Sequence, residues 1–194
     1  MELKSPTTVL FDFDGTLTNK NTLIDFAIFC FGKSSTYWTI FKLFPYLLLY
    51  NLGVLGHAPM KKKYIVAFFK GQDLNDIVKK GEEYCSKRLP EILNNDAYAK
   101  LLWHQKQQHK ILIASASLSI LLQTWCQKNQ FDLIGTDVKV GEDGTILGML
   151  GVNCYGKDKA TKIKEQMNLD AYERAIAYAE KIKEQMNLDA YERV

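Results

Sequence analysis

The sequence has few of the residues that build metal clusters and disulfide frameworks. Its four cysteines, Cys30, Cys85, Cys126 and Cys154, lie far apart and form no Cys-x-x-Cys pair. Its three histidines have no metal-ligand spacing either. These absences argue against a zinc site and a disulfide-stapled fold. We expect reduced thiols.

A large excess of charge of one sign is also missing. Lys and Arg number 25 against 22 Asp and Glu, a net charge of +3, and the basic runs Lys61–Lys63 and Lys79–Lys80 are typical of solvated helix faces. We therefore expect no nucleic-acid partner. Only Met1–Pro6 precede the first apolar segment, without the pattern of a secretory signal, which favours a cytoplasmic location.

Long uninterrupted hydrophobic runs are absent as well. The apolar and aromatic segment Tyr37–Leu55 is interrupted by Lys42, Pro45 and Asn51. It falls short of the roughly 20 apolar residues that span a bilayer. We expect a buried helix here. The alternative is peripheral contact with the inner face of the membrane, with Lys61–Lys63 beside anionic headgroups. A dimer interface is a third alternative, since it would have the same apolar and aromatic composition.

What the sequence does contain is a buried strand that ends in acids. With 194 residues and 47% hydrophobic content, the chain can bury one core and a smaller appendage. The run Thr8–Phe11 lacks alternation, as in a parallel strand buried on both faces, and it leads into Asp12 and the turn Asp14-Gly15. Ligands of open α/β sheets bind at that carboxyl edge.

The remaining pattern divides into a helical part and an alternating part. Four helices without strands between them are predicted at Thr22–Phe31, Thr36–Tyr50, Met60–Lys70 and Asp73–Arg88. Helices and strands then alternate at Asp96–His109, Ile111–Ala114, Leu118–Asn129, Leu133–Gly135, Lys157–Met167 and Ala175–Tyr178. This alternation predicts a parallel α/β sheet, and Val138–Leu150 has the pattern of a hairpin projecting from it.

Two further positions can carry chemistry. Ser115 follows the strand Ile111–Ala114 and is placed to donate to a phosphoryl oxygen, whereas Ser117 suits the N-cap of the next helix. Lys157 and Lys159 stand near the start of a later helix, where a cation costs about 0.3–1 kcal/mol unless an anion compensates. Either lysine fits an anionic ligand.

The string Asp12-Phe13-Asp14-Gly15-Thr16-Leu17-Thr18 resembles the first motif of the haloacid dehalogenase superfamily. Ser115 matches its second motif. Asn153-Cys154-Tyr155-Gly156-Lys157-Asp158-Lys159 is similar to the third motif of the phosphoserine-phosphatase-like branch, subfamily IB, and assigns that role to Lys159.

This resemblance implies a Rossmann-like parallel-sheet core with an inserted all-helical cap. We expect a discontinuous core over residues 1–19 and 95–180, a cap over 20–94, and a helical tail over 181–194. The implied activity is a magnesium-dependent phosphatase for a small phosphorylated metabolite such as phosphoserine. Its cap would close over the site and exclude water.

The resemblance also implies the roles of the motif residues. Asp12 would be the nucleophile that forms an aspartyl phosphate, and Asp14 the general acid and base. Ser115 and Lys159 would hold the phosphoryl oxygens. Mg²⁺ would take the Asp12 carboxylate and the main-chain carbonyl of Asp14. The alternatives are a membrane-associated lipid phosphatase, as phosphatidylglycerophosphate phosphatases are, and a phosphate-binding protein without turnover.

The fourth motif of the superfamily is missing. A Gly-Asp or Ser-Asp should follow Ala175–Tyr178, but Ala179 and Glu180 stand there, and Glu180 and Glu184 occupy the counted positions of the motif acids. The segment 162–174 recurs letter for letter at 181–193. We expect that this tail is not the natural carboxyl end and that the core is incomplete there; a recent duplication is the alternative.

Overall fold

A computed structural model of the chain describes residues 7–151, 154, 159, 161–163 and 165 and the backbone of 175–178. The strands are β1 Thr8–Asp12, β2 Lys110–Leu118, β3 Asp132–Thr136, β4 Val138–Val140, β5 Ile146–Met149 and β6 Ala175–Tyr178. The helices are α1 Thr22–Phe31, α2 Lys33–Lys42, α3 Phe44–Asn51, α4 His57–Phe69, α5 Leu74–Lys87, α6 Leu89–Ile92, α7 Asn95–Lys106 and α8 Ser119–Asn129.

The main sheet is parallel and has the order β3-β2-β1-β6. Strand β1 lies inside the sheet and is buried on both faces, which explains why Thr8–Phe11 shows no alternation. Its last residue, Asp12, is paired with Ala114 of β2. The predicted mixed α/β fold with a parallel sheet is confirmed.

Seven helices, α1 to α7, stand between β1 and β2, and the first six are here called the helical insertion. Helix α1 has the predicted bounds and ends at Gly32, whose φ of 79° favours glycine. The single helix predicted over Thr36–Tyr50 is wrong. Two helices meet at Leu43 instead, because Pro45 in the first turn of α3 lacks the N–H that a continuous helix needs.

An aromatic cluster holds the insertion together. Phe26 of α1 stacks on Phe69 of α4, with 5.9 Å between ring centroids, and meets the edge of Tyr84 of α5 at 5.4 Å. All three side chains are buried. Helices α1, α4 and α5 therefore share one apolar core.

The hairpin predicted over Val138–Leu150 is confirmed as the antiparallel pair β4-β5. It bonds to the α4–α5 connection: Gly71 N–H donates to Ile146 O at 2.8 Å, and Ile146 N–H donates to Gln72 O at 2.9 Å. Leu74 N–H donates to Gly144 O at 3.0 Å. The hairpin thus ties the helical insertion to the chain that follows β3.

Helices α2 and α3 and the turn after them carry an exposed apolar segment, whereas the sequence predicted burial. No residue of α3 is buried, and Thr36 is the buried residue of α2. The exposed apolar segment comprises Tyr37, Trp38, Phe41, Phe44, Leu48, Leu49, Leu52 and Val54. The burial prediction is wrong because these helices pack at the margin of the insertion. Among the described residues, no helix is long and apolar enough to cross a membrane.

Candidate active site

Asp12 and Lys159 meet at the carboxyl ends of the two central strands. Lys159 Nζ lies 2.7 Å from Asp12 Oδ1 and donates to Ala114 O at 3.0 Å. Asp12 Oδ1 also accepts the backbone N–H of Phe13 at 2.8 Å. The Lys159 side chain is 7% exposed and that of Asp12 24%. The structure thus brings a lysine 147 residues away in sequence onto the candidate nucleophile.

Asp14 is held at the start of α1. Its Oδ1 accepts the Thr22 backbone N–H at 2.8 Å and the Thr22 hydroxyl at 2.6 Å. Thr22 is the first residue of α1, where backbone N–H groups have no partner inside the helix. The carboxylate of Asp14 supplies the missing acceptor.

The pKa of Asp14 is raised from its usual value. Burial is the largest cause, and the negative charge of Asp12 adds to it; together they outweigh the Thr22 hydrogen bonds and the charge of Lys61, which favour ionisation. A carboxyl with a raised pKa holds its proton to a higher pH than an ordinary aspartate and is better suited to donate it.

Thr22 and Ser117 extend this arrangement, and Thr22 was missed at the sequence level. Thr22 Oγ1 lies 2.8 Å from Ser117 Oγ, and both residues are buried. A hydroxyl has one hydrogen, so when Thr22 donates to ionised Asp14 it must accept from Ser117. The signal that could have indicated Thr22 is its position at the start of the helix that follows the acidic turn.

The positions of Ser115 and Ser117 differ from those that the sequence predicts. The prediction that Ser117 caps α8 is wrong: β2 extends to Leu118, which is paired with Thr136 of β3 and is itself the N-cap residue. Ser117 N–H donates to Ser115 Oγ at 2.9 Å, and Ser115 is fully buried. Ala116 reaches the cavity described next, whereas Ser115 does not line it. A role for Ser115 in phosphate binding stays a prediction.

A cavity of about 350 Å³ lies between the sheet edge and the helical insertion. The sheet side contributes Asp12, Asp14, Ala116 and Lys159. The insertion contributes Asn21, Leu23, Ile24, Leu47, Tyr50, His57, Met60, Lys61 and Tyr64. Both parts of the fold therefore enclose the candidate catalytic aspartates. Lys157, the alternative to Lys159, lies outside the described residues.

Lys61 is the second residue that the sequence did not indicate for the site. The run Lys61–Lys63 predicts a solvated helix face, but the Lys61 side chain lines the cavity, while Lys62 and Lys63 are exposed. Burial lowers the pKa of Lys61 to about 8, although Asp14 and Cys154 oppose the change. Helical spacing explains the difference, since successive residues on a helix point about a quarter turn apart.

The donors at this edge fit a hard divalent cation in part. Carboxylate and carbonyl oxygens are the ligands that Mg²⁺ prefers, and Asp12 and Asp14 supply both kinds. In the described part of the chain, no group of three or more His, Cys, Asp or Glu side chains is arranged around a metal position. Glu180 and Glu184 lie outside that part. Two protein ligands with several waters remain compatible with Mg²⁺.

Known proteins resemble this chain in sequence. The model of the family described as haloacid dehalogenase-like hydrolase matches residues 9–181. Protein CicA of Caulobacter vibrioides is 31% identical over 173 residues, which cover 85% of this chain and 74% of that protein.

Solved structures share the fold at low identity. A protein of unknown function from Bordetella pertussis Tohama I has a TM-score of 0.76 at 16% identity, covering 90% of this chain and 82% of the other. A substrate-bound phosphoserine phosphatase complex has a TM-score of 0.63 at 14% identity, covering 99% and 87%. A phospho-aspartyl intermediate analogue of phosphoserine phosphatase has a TM-score of 0.61 at 14% identity, and the match covers 94% of this chain and 82% of that structure's chain.

Proposed function

The chain belongs to the haloacid dehalogenase-like hydrolase family, and we propose that it is a phosphomonoester phosphatase acting through an aspartyl phosphate on a small phosphorylated substrate. The observation that carries this proposal is the meeting of Asp12, Asp14 and Lys159 at one cavity. The similarity to phosphoserine phosphatases supports the reaction class.

In the first step, a carboxylate oxygen of Asp12 attacks phosphorus and the bond from phosphorus to the alcohol oxygen breaks. Asp14 donates its proton to that oxygen, for which its raised pKa suits it. The Lys159 ammonium, already beside Asp12, neutralises charge on the transferring phosphoryl group. The alcohol leaves.

In the second step, water attacks phosphorus of the aspartyl phosphate. Asp14, now ionised, takes the proton of that water, and the bond from phosphorus to Asp12 breaks. Inorganic phosphate leaves, and both carboxyls return to their first state. Thr22 keeps Asp14 in one orientation through both proton transfers.

The family typically uses Mg²⁺, and the proposal includes it. The Asp12 carboxylate and the main-chain carbonyl of Asp14 would hold the ion, which supplies charge neutralisation to the phosphate when bound. The helical insertion would serve as the cap, since nine of its side chains line the cavity. Closure of such a cap would exclude bulk solvent from the site and leave the one water that the second step uses.

The test is hydrolysis of para-nitrophenyl phosphate with and without Mg²⁺ by the unaltered chain and by Asp12→Asn. Asp96→Asn, an exposed aspartate in the first turn of α7, is the matched control. We expect metal-dependent turnover that Asp12→Asn abolishes and Asp96→Asn preserves. Acid quenching followed by mass spectrometry should find one phosphoryl group on Asp12. Equal turnover by Asp12→Asn would contradict the mechanism, and binding of phosphate without turnover would favour the binding-protein alternative.

A second candidate keeps this chemistry but takes a lipid phosphate at a membrane surface. The exposed apolar segment favours it, because Phe41, Leu52 and Val54 are 65%, 67% and 72% exposed. Tyr46 with Lys63 over its ring, 4.3 Å from the centroid, adds an aromatic and a cation of the kind found at interfaces.

Vesicle sedimentation separates the two candidates. A lipid phosphatase should pellet with vesicles containing an anionic lipid, and Phe41→Gln with Leu52→Gln should reduce that binding. The control pair Val140→Gln with Leu147→Gln alters exposed apolar residues of the hairpin and should not. Retention of the unaltered chain in the supernatant at every lipid composition would exclude the membrane candidate.

A further inference from the structure

Lys61 places a cation on the insertion side of the catalytic cavity. It belongs to α4 and lines the same space as Asp12, Asp14 and Lys159. Within the described residues Lys61 makes no ion pair or hydrogen bond, in contrast to Lys159, which is held by Asp12 and Ala114. An ammonium removed from water without a partner is unfavourable, and an anion in the cavity would stabilise it.

The position of Lys61 indicates which part of a substrate it faces. Lys159 occupies the nucleophile side of the cavity, against Asp12. Lys61 stands on the wall formed by the helical insertion and interacts electrostatically with Asp14 and also with Lys159. The leaving oxygen departs roughly in line with the attacking Asp12 oxygen, on the far side of phosphorus, and Asp14 is the group proposed to protonate it. A negative group that Lys61 binds would therefore belong to the leaving alcohol.

The rest of the wall on the insertion side is mainly apolar and aromatic. Leu23 and Met60 are buried, and Ile24, Leu47 and Tyr64 are half-buried around the same space. Their apolar surface gains free energy by covering a carbon body. The uncharged polar groups on this wall include the Tyr64 hydroxyl and the Tyr50 hydroxyl, which lies 2.7 Å from Nε2 of His57.

Among the described residues that line this cavity, none outside the reacting pair offers an ionic partner to an ammonium on the leaving group. Among the described lining residues, the acids are Asp12 and Asp14, both assigned to the reaction. The Asn21 side-chain oxygen already accepts Ile24 N–H at 3.2 Å as the N-cap of α1. The composition of the wall thus disfavours an amino-acid alcohol such as serine, even though the fold is shared with phosphoserine phosphatases.

From the placement of Lys61 and the apolar wall, we infer that the substrate is a phosphate monoester whose leaving alcohol carries a second anionic group on an apolar body. Lys61 binds that anionic group. The inference rests on the proposed phosphatase function and narrows its substrate class. Soluble metabolites and lipid headgroups both include such monoesters.

The test uses three esters that differ in charge at one place: the para-carboxymethyl, para-ethyl and para-aminomethyl derivatives of phenyl phosphate. The methylene group separates the charge from the ring, so the acidity of the leaving phenol changes little. We expect kcat/KM to fall from carboxymethyl to ethyl to aminomethyl, with about a tenfold or larger difference between the first two, as for a hydrogen-bonded charge pair.

Lys61→Met keeps most of the length of the side chain and removes its charge. It should bring the ratio of kcat/KM for the carboxymethyl ester to kcat/KM for the ethyl ester down to about one, because the charge that distinguishes the two esters is lost. Lys62→Met, an exposed neighbour on α4, is the matched control and should preserve the order. Circular dichroism checks that both variants fold.

Calorimetric titration of the three esters into Asp12→Asn, with and without Lys61→Met, gives a readout that does not need turnover. The same affinity order, lost with Lys61, supports the inference even if hydrolysis fails. Hydrolysis that depends on Asp12 but is indifferent to ester charge overturns the inference and leaves the phosphatase function standing. Absence of binding by all three esters also overturns it. Pelleting of the chain with vesicles distinguishes a lipid source of the substrate from a soluble one.

Discussion

Lys159 Nζ lies 2.7 Å from Asp12 Oδ1, across 147 positions of sequence and at the carboxyl end of the central strand pair. The lysine is also fixed by the Ala114 carbonyl, so its position is set by the backbone of β2 as well as by the carboxylate. In the proposed mechanism this cation is in position before the phosphate ester binds, which is the preorganisation that electrostatic catalysis needs.

Removing that cation should lower turnover sharply. Lys159→Met is expected to reduce kcat by about 10²–10³-fold, as loss of one preorganised charge-stabilising donor typically does. Lys162→Met is the control, because Lys162 Nζ donates to Gly135 O at 3.1 Å, away from the aspartates. Steady-state kinetics with para-nitrophenyl phosphate measures both. Equal losses in the two variants would show a general structural effect instead.

Thr22 should act as a positioning residue for Asp14. Thr22→Ala keeps the backbone N–H bond but removes the hydroxyl bond of 2.6 Å, so kcat should fall by about 10–100-fold, the usual value of a hydrogen bond to a charged group. Thr22→Ser restores the hydroxyl and should recover most of the activity. Thermal melting of both variants separates this effect from loss of fold; failure of serine to rescue would argue against the role.

Asp25 should make the stability of the helical insertion depend on pH. Burial raises its pKa, but hydrogen bonds from Arg88 and Tyr84 and the Arg88 charge outweigh burial, and the net pKa is lowered below 3.8. The folded state therefore favours the ionised form. Its contribution is fully present above the unfolded pKa near 3.8 and is lost as pH falls through the folded value.

We expect Asp25→Asn to lower the free energy of unfolding by about 1.5–3 kcal/mol at pH 7, the range for hydrogen bonds to a charged group. The difference from the unaltered chain should shrink as pH falls below 3.8 and through the lowered pKa of Asp25 in the folded state. Urea unfolding at several pH values measures it. Glu83→Gln removes the exposed ion pair in which Glu83 Oε2 lies 3.2 Å from Lys87 Nζ, and it should change the free energy of unfolding only slightly. A pH-independent difference would contradict the assignment.

Gly135 should tolerate no larger residue. A Cβ there would lie 2.5 Å from Ser119 Oγ, 3.0 Å from Ser119 Cα and 3.1 Å from Ser119 N. Gly135→Ala is therefore expected to cost about 1–3 kcal/mol of stability. The Ser119→Ala background removes only the hydroxyl and should not rescue it, because two of the close atoms are not part of the hydroxyl. Denaturant midpoints for the single and double variants decide this; full rescue would show that the side chain alone is in the way.

Much of the fold followed from local patterns. The unbroken apolar run Thr8–Phe11 predicted a buried parallel strand, and β1 is that strand. Asn21 caps the N-terminus of α1, and Gly32 ends the helix with a positive φ. Both features depend on residues close together in sequence. Helix breaks within apolar sequence were harder, since the spacing around Leu43 fits one helix as well as two. The division into core, cap and tail remains a prediction.

The chemical groups can be identified from the amino-acid sequence: two aspartates after a buried strand, a serine after a second strand and a lysine at a later helix. These follow from strand ends and from a motif resemblance, which depend on a few adjacent residues. Tertiary structure decided which groups meet. Asp14 accepts a hydrogen bond from Thr22, and the Lys61 side chain lines the cavity. Both contacts depend on how the helices pack onto the sheet. No local pattern contains that information.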